Sequence, residues 1–227
     1  ILSGLVGSEM CIRDSNDDIE IIEPDWLDAL LEHATRPEVG IVGARLLYPD
    51  GKLQHGGMFL MRDGIARHAF RFVTEDDPGY FGLARTQRNV IAVTGACMLL
   101  RREVFESLGR FDEAHEIVNN DLDLCLRAHA AGLLTVYTPY ATLIHHELAS
   151  RAALKDVYDL TRFDARWGTL FAAGDPYFNP RLARHSEAYE PDDEAEEVVH
   201  PGNPLFLPDD IREILVVKLD HIGDFIT

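Results

Sequence analysis

The sequence predicts an α/β protein in which strands alternate with helices. Three observations lead there. Short apolar stretches of strand length alternate with longer stretches of helical spacing, Gly, Pro and Asp turns separate them, and the residues able to do chemistry fall at the ends of the apolar stretches. The 227 residues, 46% of them hydrophobic, are enough to bury a sizeable core.

Taken in order, residues 1–15 (ILSGLVGSEMCIRDS) carry neither the charged start nor the cleavage site of a signal peptide. The stretch GLVGSEMCIRDS is similar to translated sequencing-adapter read-through, so 1–15 is expected to be a non-native segment without structural meaning. Residues 19–22 make a short apolar strand. Pro24 then opens a helix, with Asp25 in its first turn and Trp26, Leu27, Leu30 and Leu31 at helical spacing up to about Ala34. Residues 39–47 and 52–61 read as two strands around the turn Pro49-Asp50-Gly51. Residues 89–100 read as a further buried strand, 102–108 as a helix closed by Gly109, and 121–131 as a helix stopped by Gly132. Residues 133–137 and 142–146 are late strands. Over 153–173 the residues Val157, Leu160, Phe163, Trp167, Leu170 and Phe171 trace the broad apolar face of a helix.

The acidic stretch EAYEPDDEAEE lies within a linker expected at 181–210, and a new strand and Gly-containing turn follow at 211–227. That is how an α/β domain starts. The expected organisation is therefore one domain at 16–180, the linker, and the truncated start of a second domain, in a chain cut at both ends.

Charge excludes some functions. The formal net charge of -18 and pI near 4.8 leave no electrostatic drive toward a nucleic-acid backbone or an anionic membrane surface. An anionic substrate then needs local help, and a metal is the simplest source. The three cysteines, Cys11, Cys97 and Cys125, have no metal-ligand spacing and suggest packed thiols in a reducing compartment. No apolar run reaches the ~20 residues that span a bilayer. A cytoplasmic setting is expected, at most at the inner face of the membrane.

Four polar groups stand out. Asn16-Asp17-Asp18 is either an acidic turn or a carboxylate source for Mg2+ or Mn2+, which in phosphate chemistry take one or two protein carboxylates plus substrate oxygens. Thr94-Gly95-Ala96 interrupts a strand with small residues, a mark of packing or of close backbone approach. Asn120-Asp121-Leu122-Asp123 starts a helix, where capping explains at least one carboxylate. His145-His146 ends a strand as a surface pair or as a ligand.

In this order, with VTGACMLLRREVF, Gly109-Arg110-Phe111-Asp112 and NDLDLCLRA between them, these motifs resemble the second half of the inverting family 2 glycosyltransferases. The resemblance covers about residues 16 to 180 and implies a partial GT-A type (Rossmann-like) α/β sandwich with a mixed sheet and flanking helices, lacking the N-terminal nucleotide-binding half. It implies Asp18 and His145 as ligands of a divalent cation, Mn2+ or Mg2+, with Asp17 and His146 second to them. It implies Asp121 as the general base. Thr94, Gly95, Ala96 and Asp123 fall on the acceptor side. This chain has Asn120 where the family commonly has Glu.

The implied partners are a nucleotide-sugar donor and a glycan or lipid-linked acceptor, and the implied setting is cell-envelope polysaccharide synthesis. Two alternatives stay open: a non-catalytic binding module on the same scaffold, and a metal-dependent phosphohydrolase. The segment Gln54-His55-Gly56-Gly57 and His68 are similar to features of one subgroup, without an assigned role. Arg88, Arg101 and Arg102 are candidates for meeting donor phosphates, with solvated positions the favoured alternative for at least two of them. Finally, ILVVKLDHIGDFIT resembles the opening of family 9, heptosyltransferase-like, enzymes and implies Asp224 in an acceptor site.

Overall fold

The computed structural model describes residues 4–6, 11–61, 65–112, 119–146, 157–179, 181–183, 186–187, 189–190, 216–217 and 225–226. The chain divides into two units, Ile1–Asp193 and Glu194–Thr227. In the second, Val216–Val217 and Phe225–Ile226 pair as an antiparallel ribbon. Asp224 and most of the acidic linker lie outside the described residues.

The first unit is built on an eight-stranded mixed sheet. Its strands are β1 (Gly4–Val6), β2 (Cys11–Ser15), β3 (Ile19–Ile21), β4 (Val39–Leu47), β5 (Leu53–His55), β8 (Arg88–Val90), β9 (Cys97–Arg101) and β10 (Leu134–His145). The path runs β1-β2-β9-β4-β10-β3. At the centre β4 and β10 run parallel, from Leu134 beside Val39 to Ile144 beside Leu47. Every residue of β4 is buried, as expected of a strand covered on both faces.

One face is covered by α1 (Trp26–Ala34), whose Trp26, Leu30 and Ala34 pack with Val42, Ala44, Leu46, Val136 and Leu143. The other is covered by α3 (Asn120–Ala130) and α4 (Val157–Ala173). There Leu122, Cys125 and Leu126 meet Phe163, Trp167 and Phe171 over Ile41, Met98 and Tyr137. A short helix, α2 (Arg102–Ser107), follows β9 directly.

The sequence reading of the elements differs from the structure in three places. Residues 52–61 make two strands, because Gly57 adopts φ +90°, where a Cβ would also lie 2.8 Å from Val90. After it, β6 (Met58–Leu60) leaves the main sheet and pairs with β7 (Ala66–His68). Residues 89–100 likewise divide into β8, on the edge of β10, and β9, on the edge of β4, so that 91–96 crosses the sheet face. The crossing is close: a Cβ on Gly43 would sit 2.4 Å from Val93. The two late strands join into β10, with a register shift between Thr138 and Thr142 around Pro139. Cys11–Ser15, within the segment read as adapter-like, runs as β2 along β9 and covers an edge that would otherwise be open.

Candidate active site

Topology brings the four polar groups to one edge. Because β2 is antiparallel to β9 and β9 is antiparallel to β4, the strands β2, β4 and β10 all point the same way. Their carboxyl ends, Ser15, Leu47 and His145, therefore share one side of the sheet, where open α/β sheets place ligands. The start of β9 is there too, since Ser15 pairs with Cys97.

Hydrogen bonds then tie the groups together. The Asn16 amide nitrogen lies 3.1 Å from His145 Nε2. The Asn16 backbone N–H donates to Ala96 O at 3.0 Å. Gly95 N–H donates to Asp121 Oδ2 at 2.8 Å. Thr94 N–H reaches His55 Nε2 at 3.4 Å, and the neighbouring Gln54 Oε1 lies 2.7 Å from His145 Nδ1. The circuit closes: β2, the 94–96 turn, α3, β5 and the end of β10 are held as one piece.

At one end of this circuit, Asp18 Oδ1 stands 3.1 Å from His145 Nε2. Gln54 Oε1 accepts the His145 Nδ1 proton, while the Gln54 amide nitrogen faces His145 O at 3.5 Å. His145 Nε2 then carries a lone pair, which the Asn16 amide N–H meets at 3.1 Å and Asp18 Oδ1 faces at the same distance. Consistent with that, Asp18 Oδ1 is buried and, among the described residues, has no hydrogen-bond donor. A buried carboxylate oxygen in this state is costly unless a cation or proton joins the two atoms.

Two donors in adjacent positions around a cation with bonds of about 2.1 Å lie about 3.0 Å apart. The pair fits a divalent cation on this ground. Among the described residues no group of three or more His, Cys, Asp or Glu could hold a metal. Asp18 and His145 would supply two ligands, leaving the others to water and substrate oxygens.

At the other end, Asp121 sits half-buried in the first turn of α3. Its Oδ1 accepts from Leu122 N–H at 2.8 Å and its Oδ2 from Gly95 N–H, which together fix the plane of the carboxylate. Between the two ends lies His55, fully buried, with its Nδ1 2.9 Å from His68 Nδ1. Burial pushes its pKa well below the usual histidine value, and the charges of His68, Arg88 and His145 push the same way.

The remaining expected residues fall elsewhere. Asp17 is exposed. His146 turns to Glu20, 2.8 Å away on the exposed side, while its backbone N–H donates to Asp18 O. Asp123 has no exposed surface: Trp167 Nε1 donates to its Oδ1 and Arg127 Nε to its Oδ2, both at 2.8 Å, and Arg166 lies 3.2 Å from Oδ1. It braces α3 against α4. Of the arginines, Arg88 donates to Gly56 O, and Arg101 donates to the carbonyls of Ala34, Arg36 and Pro37 after α1.

Two participants, Gln54 and His55, had no role assigned from sequence. The available signal was an amide and an imidazole inside an otherwise apolar strand, where a buried polar side chain needs a specific partner.

Residues 16–168 match the family described as glycosyltransferase like family 2. The chain is 45% identical over 170 residues to the O-antigen biosynthesis protein RfbC of Myxococcus xanthus, covering 74% of this chain and 13% of that protein. It is 42% identical over 176 residues to protein y4gI of Sinorhizobium fredii, covering 74% and 19%. Over 139 residues it is 32% identical to the N-acetylglucosaminyl-diphospho-decaprenol L-rhamnosyltransferase of Mycobacterium tuberculosis, covering 56% and 44%. The chain thus spans less than half the length of each of these curated relatives. Among the described residues no helix is long and apolar enough to cross a membrane.

Proposed function

The chain belongs to glycosyltransferase like family 2, and from that premise we propose that it serves inverting transfer of a sugar from a nucleotide-sugar donor to a hydroxyl of a glycan or lipid-linked acceptor. The observation that carries this reading is the hydrogen-bonded circuit, which sets Asp18 and His145 at one end and Asp121 at the other. The names of two relatives, an O-antigen biosynthesis protein and a rhamnosyltransferase acting on a diphospho-decaprenol, support a cell-envelope acceptor.

In this reading Asp18 and His145 would hold Mn2+ or Mg2+, and the cation would supply positive charge for the leaving diphosphate. Asp121 accepts the proton of the acceptor hydroxyl as that oxygen bonds to the anomeric carbon and the carbon–oxygen bond to the diphosphate breaks. Backbone amides of Gly95 and Leu122 hold the carboxylate without occupying a side chain. The 94–96 turn carries only small side chains, and in this reading the acceptor lies beside it. Asp123 acts indirectly, by fixing α3 and hence Asp121. For residues 211–227 the proposal remains a heptosyltransferase-like start with Asp224 on its acceptor side, resting on ILVVKLDHIGDFIT.

The test is transfer from a panel of nucleotide sugars to envelope glycan and polyprenyl-diphosphate acceptors, using the chain together with whatever coding sequence adjoins it. Transfer abolished by chelation and restored by Mn2+ is expected. Transfer indifferent to chelation would remove the cation from the reading. Hydrolysis of simple phosphoesters without any transfer would favour a phosphohydrolase.

A further inference from the structure

We propose that Gln54 is the positioning residue that makes His145 a cation ligand, a role that rests on the cation reading above and deepens it. An imidazole binds a metal only through a nitrogen that carries a lone pair, and a hydrogen bond at the other nitrogen decides which one that is. The Gln54 side chain makes two contacts with the same residue. Its Oε1 lies 2.7 Å from His145 Nδ1, and its amide nitrogen lies 3.5 Å from His145 O. With the amide turned this way, the first contact is an N–H of His145 donating to a carbonyl oxygen. The proton is thereby kept on Nδ1, and the Nε2 lone pair is aimed at the site shared with Asp18 and Asn16.

Burial makes the arrangement stiff. Gln54 is 4% exposed and His145 8%, so water does not compete for Nδ1. The neighbour in sequence repeats the device. His55 Nε2 accepts from Thr94 N–H, which leaves its Nδ1 proton for His68. One dipeptide of β5 thus orients His145 at the cation end and, through the 94–96 turn, the Gly95 amide that seats Asp121. Both residues reach the site through other protein groups and neither is placed to touch a reacting atom.

Mn2+ binding by the 227-residue chain, followed by electron paramagnetic resonance, compares the wild type with Gln54→Leu and Gln54→Glu. Loss of the acceptor oxygen in Gln54→Leu should weaken Mn2+ binding about 10- to 100-fold. Gln54→Glu keeps an acceptor oxygen and should stay within about threefold of wild type, the metal-site effect of a well-oriented partner being preserved. Equal affinity in the wild type and a folded Gln54→Leu would overturn the proposal.

The second readout needs neither metal nor turnover. Long-range nitrogen–proton correlation spectra of the metal-free wild type should show His145 with its proton on Nδ1, and a proton on Nε2 would overturn the proposal even if Gln54→Leu failed to fold. Should the wild type take up no Mn2+, the cation reading falls, and the tautomer alone decides the role of Gln54.

Discussion

Replacing Asp123 with Asn tests whether this carboxylate braces the fold. The side chain keeps its shape, but one of its two acceptor oxygens becomes an amide nitrogen. In the native protein Asp123 is 0% and Arg127 10% exposed, and they pair at 2.8 Å. Removing one charge of such a pair leaves the other buried and uncompensated, which costs about 3–5 kcal/mol. Arg166 is 42% exposed and adds less than about 1 kcal/mol. For a unit of this size each kcal/mol lowers Tm by about 2–4 °C, so a fall of roughly 6–20 °C is expected in thermal unfolding followed by circular dichroism. Trp167 reports the same event, because its indole N–H donates to Asp123 Oδ1, and its fluorescence should change in the folded state. A Tm within about 2 °C of wild type would refute the brace, since so small a loss implies under about 1 kcal/mol. So would a purely kinetic defect in the acceptor KM, because that would place Asp123 against substrate.

Further outcomes follow from burial. His55 is held neutral, with its pKa well below the usual value, so the unfolded chain binds a proton that the folded chain refuses. Its contribution is complete above the unfolded value near 6.5 and is lost as pH falls below it, by up to about 1.4 kcal/mol per pH unit. Tm measured from pH 7.5 to 5.5 should fall less steeply in His55→Gln than in wild type, and parallel slopes would contradict the assignment. Cys125 is fully buried and its pKa is pushed up to about 12, so its thiol should react with a disulfide reagent at pH 8 only after denaturation. Rapid labelling of Cys125 in the folded chain, located by mass spectrometry, would contradict that packing.

Much of the scaffold was legible because its pattern is local. The strand at 39–47 appears with the bounds the periodicity suggested, Val39–Leu47, and the helix ends at Ala34 as expected but starts at Trp26 rather than at Pro24. The breaks were not legible. Ile91, Ala92 and Val93 are as buried as the strand residues beside them, so hydrophobicity continues through a segment that leaves one strand and crosses to another. Gly43, from another part of the chain, makes room for Val93 at the crossing, and that is a tertiary relation.

The same division holds at the site. Asp18, Asp121 and His145 could be singled out by residue type and order, with the family resemblance choosing among their roles. That Gln54 orients His145 depends on two strands meeting across 91 residues of sequence, which no spacing encodes. For Asp123, helix capping was the local alternative. The bond to Trp167, 44 residues away, replaces it with a brace between helices.

The central claim is that Asp121, held by the amides of Gly95 and Leu122, takes the acceptor proton. Its most direct test is the turnover of Asp121→Asn in the transferase assay, read beside Mn2+ and donor binding. Loss of general-base catalysis should lower kcat by about 10²- to 10⁴-fold while both binding constants stay near wild type. Unchanged turnover in the Asn variant would contradict the claim.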